Sequence, residues 1–274
     1  MISTEFLHKL SDLIHKIDQA PIIENSFFIL GAGNFGRSAI QYALQQPNSP
    51  YILIIDKEIN KEYPEFQDAT NIANIHEVLS SDSQRKYYLQ KDISVVSDIL
   101  QSKFPERFIP AVPIHAVAYI ISKLFSSLQT ETKLNTNVPE SIWEETKKSI
   151  PESVILKDDY ENGVILLSWA KIDEICPPNC HAPLDYCPHH NRDKPQTIIE
   201  ISQAINLHNL RNFTIESHQV QPGLGIINGL ELKQVIVECF REIHKNFVSN
   251  LDSMFFLSTT CNCHGVLNVF SVKK

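Results

Sequence analysis

Residues 26–56 confine the fold more tightly than any other stretch of the chain. Residues 26–30 (SFFIL) form a short apolar run that leads straight into GAGNFG at residues 31–36, and an apolar helical pattern follows through Ile40 and Leu44. A second apolar run, YILIID, ends at Asp56, twenty residues past Gly36. Strand, glycine turn, helix, strand and acid in that order predict parallel strands joined by a crossover helix. In such a turn Gly31 permits the tight bend, Gly33 lets the backbone approach a pyrophosphate, and Gly36 allows close packing of the helix. Asn34 and Phe35 open that helix, where free N–H groups and a partial positive charge favour phosphate. Three of the eight glycines in the chain fall in these six positions.

With Gly31, Gly33, Gly36 and Asp56 so placed, residues 25–126 resemble the NAD(P)-binding Rossmann superfamily. The resemblance implies a doubly wound parallel sheet, a dinucleotide bound outside the strand ends, and Asp56 on the adenosine ribose. A carboxylate there repels a 2′-phosphate, so NAD is the expected cofactor, while the adjacent Lys57 leaves NADP open. Residues 57–90 are polar, with a weak element near residues 72–79 and room for an abbreviated third strand. A helix over residues 93–100, a strand within residues 107–112 and a helix over residues 114–125 complete the half. Pro113 marks a strand-to-helix turn. His115 follows it, at the strand ends where open parallel sheets bind ligands. Its pKa near neutrality makes it the candidate catalytic residue, a proton donor or substrate contact. The alternative is a helix-start histidine with no chemical role.

The C-terminal half is marked by thiols. Five of the six cysteines lie in two histidine-rich patches: Cys176, Cys180 and Cys187, followed by His189 and His190, and Cys261 and Cys263, followed by His264. Thiolates gathered in loops point to a metal, and the long interval between the patches requires the fold to close the site. The first patch, CPPNCHAPLDYCPHH, holds four prolines and few core residues. Proline stiffens the backbone and lowers the entropy lost when ligands are arranged around an ion. Cys176, Cys180 and Cys187 with Cys261 or Cys263 make a tetrahedral set, with His181, His189, His190 and His264 in reserve. The spacing fits neither a common zinc ribbon nor a bacterial ferredoxin run, so zinc and a [4Fe–4S] cluster both stand. Cys239 shares a helical face with Leu232, Ile236, Phe240 and Ile243 and reads as a core residue.

Around the patches the pattern predicts strands at residues 164–170, 213–218, 254–259 and 266–272, and helices at residues 197–207 and 230–244. Residues 126–159 read as a polar connector. Residues 222–229 (PGLGIING) read as a flexible connector or, alternatively, an anion-cradling loop. The fold expected is α/β: an N-terminal helix (residues 1–24), a Rossmann-type doubly wound parallel sheet (residues 25–126), and a smaller α+β domain (residues 127–274) carrying a Cys-ligated metal site. GAGNFG joined to CPPNC, CP and a terminal CNCHGVL also resembles uncharacterised bacterial proteins labelled as nicotinamide-binding potassium-transport components. That likeness covers the nucleotide fold, and it locates a ligand without naming a reaction.

Charge and hydropathy narrow the partners. A formal charge of −8 without any Lys/Arg run argues against nucleic acid. The first twenty residues place Phe6, Leu7, Leu10, Leu13, Ile14 and Ile17 at helical spacing among acids, which predicts a docked amphipathic helix and not a signal. No apolar stretch approaches the roughly 18 residues needed to span a bilayer. A cytoplasmic NAD(P)-dependent oxidoreductase or redox protein, acting on a small molecule and compatible with a homodimer, is the leading expectation. A nucleotide-sensing regulatory module with a structural metal is the alternative, and an assembly factor with a vestigial nucleotide fold is a third reading.

Overall fold

The computed structural model of the chain describes residues 3–58, 63–69, 86–128, 138–174, 176–177 and 180–273. They divide into two units, residues 12–124 with 226–234, and residues 1–11 and 125–225 with 235–274. The weak element expected near residues 72–79 lies outside the described residues.

Helix α1 (Thr4–Gln19) buries the stripe of Phe6, Leu10, Leu13 and Ile17 that its spacing dictates. It is followed by β1 (Ile22–Leu30), α2 (Asn34–Leu44), β2 (Tyr51–Asp56), β3 (Gln67–Asp68), β4 (Lys86–Gln90), α3 (Val95–Leu100), β5 (Phe104–Pro110) and α4 (Ala116–Ser126). β1 pairs parallel with both β2 and β5, β2 with β4, and β4 with β3. Among these strands the order is β3-β4-β2-β1-β5, within a seven-stranded sheet whose other two strands follow β5. Every residue of β1 from Ser26 to Leu30 and of β2 from Tyr51 to Ile55 is buried. Strands covered on both faces need such continuous apolar runs, whereas a half-exposed strand would alternate. The third full strand is β4, and β3 contributes two residues beside it.

The second unit holds α5 (Glu140–Lys148), β6 (Ile155–Asp159), β7 (Val164–Ser168), β8 (Tyr186–Cys187), β9 (Arg192–Asp193), α6 (Ile198–Gln203) and β10 (Arg211–Glu216). After them β11 (His218–Gln221) turns at Gly223, φ +75°, into β12 (Leu224–Asn228), which leads to α7 (Gly229–Val248), β13 (Ser253–Thr260) and β14 (His264–Val272). Its main sheet runs β10-β13-β14-β7-β6, parallel only between β10 and β13. Trp143, Ile165, Leu167, Ile198, Ile201, Phe256, Leu267 and Val269 share one core. The whole is mixed α/β with one mostly parallel sheet. Among the described residues no helix is long and apolar enough to cross a membrane.

Two sequence expectations change. The polar connector at residues 126–159 contains α5, which buries Trp143 and Thr146, and the strand β6. Residues 222–229 are neither connector nor anion cradle: most of them form β12, and Ile227 pairs antiparallel with Phe108 of β5. The Asn228 carboxamide oxygen accepts the N–H groups of Leu230 (2.9 Å) and Glu231 (3.2 Å), so the start of α7 is already capped. Gly229 is required by packing, since a Cβ there would lie 1.6 Å from the Pro105 carbonyl oxygen.

Candidate functional site

The glycine turn sits where β1 ends beside β5. Leu30 is in register with Pro110, and the Gly31 N–H donates to the Ile55 carbonyl at 2.8 Å. Gly31 adopts φ +90°, and a Cβ on it would come within 2.5 Å of the Ala111 carbonyl oxygen. A Cβ on Gly36 would lie 2.0 Å from the Gly31 carbonyl oxygen. Both glycines are thus demanded by the chain itself. Gly33 is not. It starts α2 with φ −67°, a conformation open to any residue, and a Cβ on it would meet nothing within 4 Å. No side chain caps the helix there, and Asn34 and Phe35 are exposed beside it.

Asp56 closes β2, and its carboxylate accepts the N–H groups of Ala32 (2.5 Å) and Glu58 (2.7 Å). The acid is thereby tied to the glycine turn. Lys57 is drawn aside, with its Nζ 3.1 Å from Asp92. His115 lies five residues past the end of β5, half-buried, and its carbonyl accepts the Tyr119 N–H at the head of α4 (3.0 Å).

In the second unit the two cysteine patches meet. The β13–β14 turn is a four-residue hairpin, in which Thr260 opposes Gly265 and the Cys261 N–H donates to the His264 carbonyl (2.8 Å). The loop carrying Cys176, Cys180 and Cys187 folds onto that turn. Cys176 Sγ stands 3.7 Å from His264 Nε2, the Asn262 carboxamide donates to the Ala182 carbonyl (3.3 Å), and the Trp169 N–H donates to the Cys263 carbonyl (3.0 Å). An Arg192–Glu174 fork (2.9 and 2.7 Å) braces the loop's base, and Gln219 Nε2 donates to the Cys180 carbonyl (2.8 Å). Cys239 is left fully buried in α7, and burial pushes its thiol well up.

The thiols feel one another. Burial raises the pKa of Cys176, and the neighbouring Cys180, Cys187, Glu174 and Cys261 raise it further. Cys263 is also raised by burial, against which Lys194 acts by donating from Nζ to Cys263 Sγ at 3.2 Å. Thiolates crowded together repel, and a cation among them reverses that penalty. His264 is exposed as a whole residue, while burial about its ring, with Lys194 adding to it, lowers its pKa. His190 Nε2 is buried with no hydrogen-bond partner, a further donor of the kind a metal takes. His181 and His189 lie exposed. As the side chains stand, no group of three or more His, Cys, Asp or Glu among the described residues is arranged to hold an ion. The donor set fits a thiophilic metal; bonding requires the sulfurs to turn inward.

Lys194, 3 % exposed, is a site residue that the sequence does not announce. Lysine is rarely buried, and nothing in the RDKP context sets it apart.

Fold and site together define a mixed α/β protein with a glycine turn at the head of its parallel sheet and a thiol-rich hairpin junction in its second unit. The chain belongs to the AF_1314_C family, described as "Uncharacterized protein, C-terminal domain", whose profile matches residues 116–273 and so takes in all six cysteines. It is similar to an uncharacterised protein of Archaeoglobus fulgidus, 24% identical over 245 residues, which cover 87% of this chain and 96% of that protein. No solved structure matches the chain.

Proposed function

We propose that the chain is an NAD(P)-binding, metal-containing redox protein, an oxidoreductase whose N-terminal sheet has the Rossmann arrangement. Gly33 carries this reading. Gly31 and Gly36 satisfy the chain's own geometry, but at Gly33 neither φ nor any neighbour calls for glycine. Open space over an uncapped helix start is what a pyrophosphate needs to approach backbone N–H groups. The order β4-β2-β1-β5, all parallel, supports the same reading, because it reverses direction between β1 and β5, beside the turn. Asp56 at the end of β2 fits a ribose diol, and the pairing of Lys57 with Asp92 favours NAD over NADP. His115, after β5, is assigned to proton exchange with a small-molecule substrate.

The nicotinamide cofactor would supply hydride chemistry, and the cysteine centre either an electron store or a structural tie. Calorimetric titration of the purified chain with NADH and NADPH tests the first half. NADH should bind more tightly, and Gly33→Val should weaken binding at least about tenfold while leaving the fold intact, because the new side chain fills only the space left for phosphate. Failure of the wild-type chain to bind either cofactor would sink the proposal.

A further inference from the structure

We infer that Cys176, Cys180, Cys261 and His264 bind one zinc ion, with Cys263 held beside the centre by Lys194 and outside its coordination sphere. The inference rests on the metal reading above and adds to it the ion and its ligands.

The distance between Cys176 Sγ and His264 Nε2, 3.7 Å, is the first argument. Zn–S and Zn–N bonds of about 2.3 and 2.05 Å, opened to the tetrahedral angle, put the two ligand atoms about 3.6 Å apart. In a four-iron cluster each iron takes its own protein ligand, and the ligands diverge from separate corners. Two donors this close, brought together from segments 88 residues apart, are spaced to share a single ion. A lone thiol–imidazole hydrogen bond has similar length, but it gives no reason for further thiols to gather round.

The hairpin supplies a third ligand. Cys261 and His264 are directly opposed across the turn, since Thr260 opposes Gly265. Opposed residues of an antiparallel pair present their side chains on one face. Cys261 therefore shares the face on which His264 meets Cys176. Asn262, between them, is fixed twice: its carbonyl accepts the Ile198 N–H (3.2 Å) and its carboxamide holds the Ala182 carbonyl. That second bond ties the hairpin to the segment bearing Cys180.

Cys180 is the fourth ligand. Its Sγ accepts the N–H of Ala182 (3.4 Å), in the same segment that Asn262 ties to the hairpin. Cys187 sits instead in the short β8–β9 ladder opposite Arg192. Cys263 is differently engaged, with its sulfur on the buried Lys194 ammonium and its carbonyl on Trp169. The Lys194 ammonium is buried, and its bond to Cys263 Sγ holds that sulfur beside the centre. Closing the sphere requires the Cys180 and Cys261 side chains to swing toward the Cys176–His264 pair.

The test is metal analysis of the anaerobically purified full chain, followed by exchange with cobalt and visible spectroscopy. About one zinc per chain is expected, with cobalt bands of a tetrahedral site and a thiolate charge-transfer intensity fitting three sulfurs. Cys176→Ser, Cys180→Ser, Cys261→Ser and His264→Ala should each lose the metal to a chelator that the wild type resists. His264→Cys should recover it with cobalt bands shifted to lower energy. Cys187→Ser, Cys263→Ser and Lys194→Met should keep it. Stoichiometric zinc that survives His264→Ala, or is lost in Cys263→Ser, would overturn the ligand assignment and leave the metal reading standing. Iron with acid-labile sulfide would overturn zinc alone. A wild-type chain that binds no metal would remove both, while the NADH titration is read independently.

Discussion

Residues 26–56 and residues 174–194 are of similar importance to the molecule and are ordered by opposite means. The first stretch is held from within. Ten of its residues, Ser26 to Leu30 and Tyr51 to Ile55, are fully or almost fully buried, and Gly31 and Gly36 stand where a Cβ would overlap neighbouring backbone. The second stretch has few core side chains and is positioned by polar ties: the Arg192–Glu174 fork within it, and Asn262 on Ala182 and Gln219 on Cys180 from outside. Burial orders the first region without any ligand. On the proposed metal reading, the second would depend on an ion held by its sulfurs.

Removal of metal should sharpen that difference most. Treating the purified chain with a chelator is expected to raise amide exchange across residues 176–190 and the 261–264 turn by on the order of 100-fold or more, with β1 and β2 unchanged. Equal protection before and after chelation would erase the distinction. Gly36→Ala attacks the other side of the comparison. Its Cβ would overlap the Gly31 carbonyl, so the variant should lose about 3 kcal/mol in a denaturant titration, against less than about 1 for Gly33→Val. Similar losses in the two variants would show that Gly33 also serves the fold.

The smallest effect concerns Asp92, held down to a pKa of about 2 by the Ser94 backbone N–H and by Lys57. A carboxylate whose folded pKa is depressed stabilises above its unfolded value, near 4, and loses that contribution as pH falls through the folded value. Asp92 is half exposed and screened by solvent, so Asp92→Asn should cost only a small, salt-sensitive part of the stability at pH 7. Denaturation curves of the two chains should converge between about pH 4 and pH 2. A gap that persists at low pH would assign the effect to hydrogen-bond geometry in place of charge.

The same contrast governs what could be read from the residues. β1, α2 and β2 were legible because each is a run of apolar side chains punctuated by glycine, and continuous burial requires that pattern. Helix α5 was obscured because ESIWEETKK offers one large core residue, Trp143, among charges, and its stability comes from tertiary packing. β12 was obscured by the glycines in and beside it, which look like a breaker but answer to neighbours: a Cβ on Gly225 would lie 2.2 Å from Ser217 Oγ. In the candidate centre the gathering of cysteines was visible as composition. The pairing of Cys176 with His264 and the burial of Lys194 were not, because both arise from a hairpin meeting a loop distant in sequence.

Cys239, sealed in α7, gives the molecule a built-in clock. Thiol reagents reach a buried sulfhydryl only when structure opens, so its labelling follows opening of the helix core, whereas the loop thiols, on the proposed reading, would respond to loss of the metal. Mass spectrometry of alkylated chains would then separate two events in one sample, the release of the junction and the unfolding of the body. The interval between them measures how far the junction can fail before the protein does.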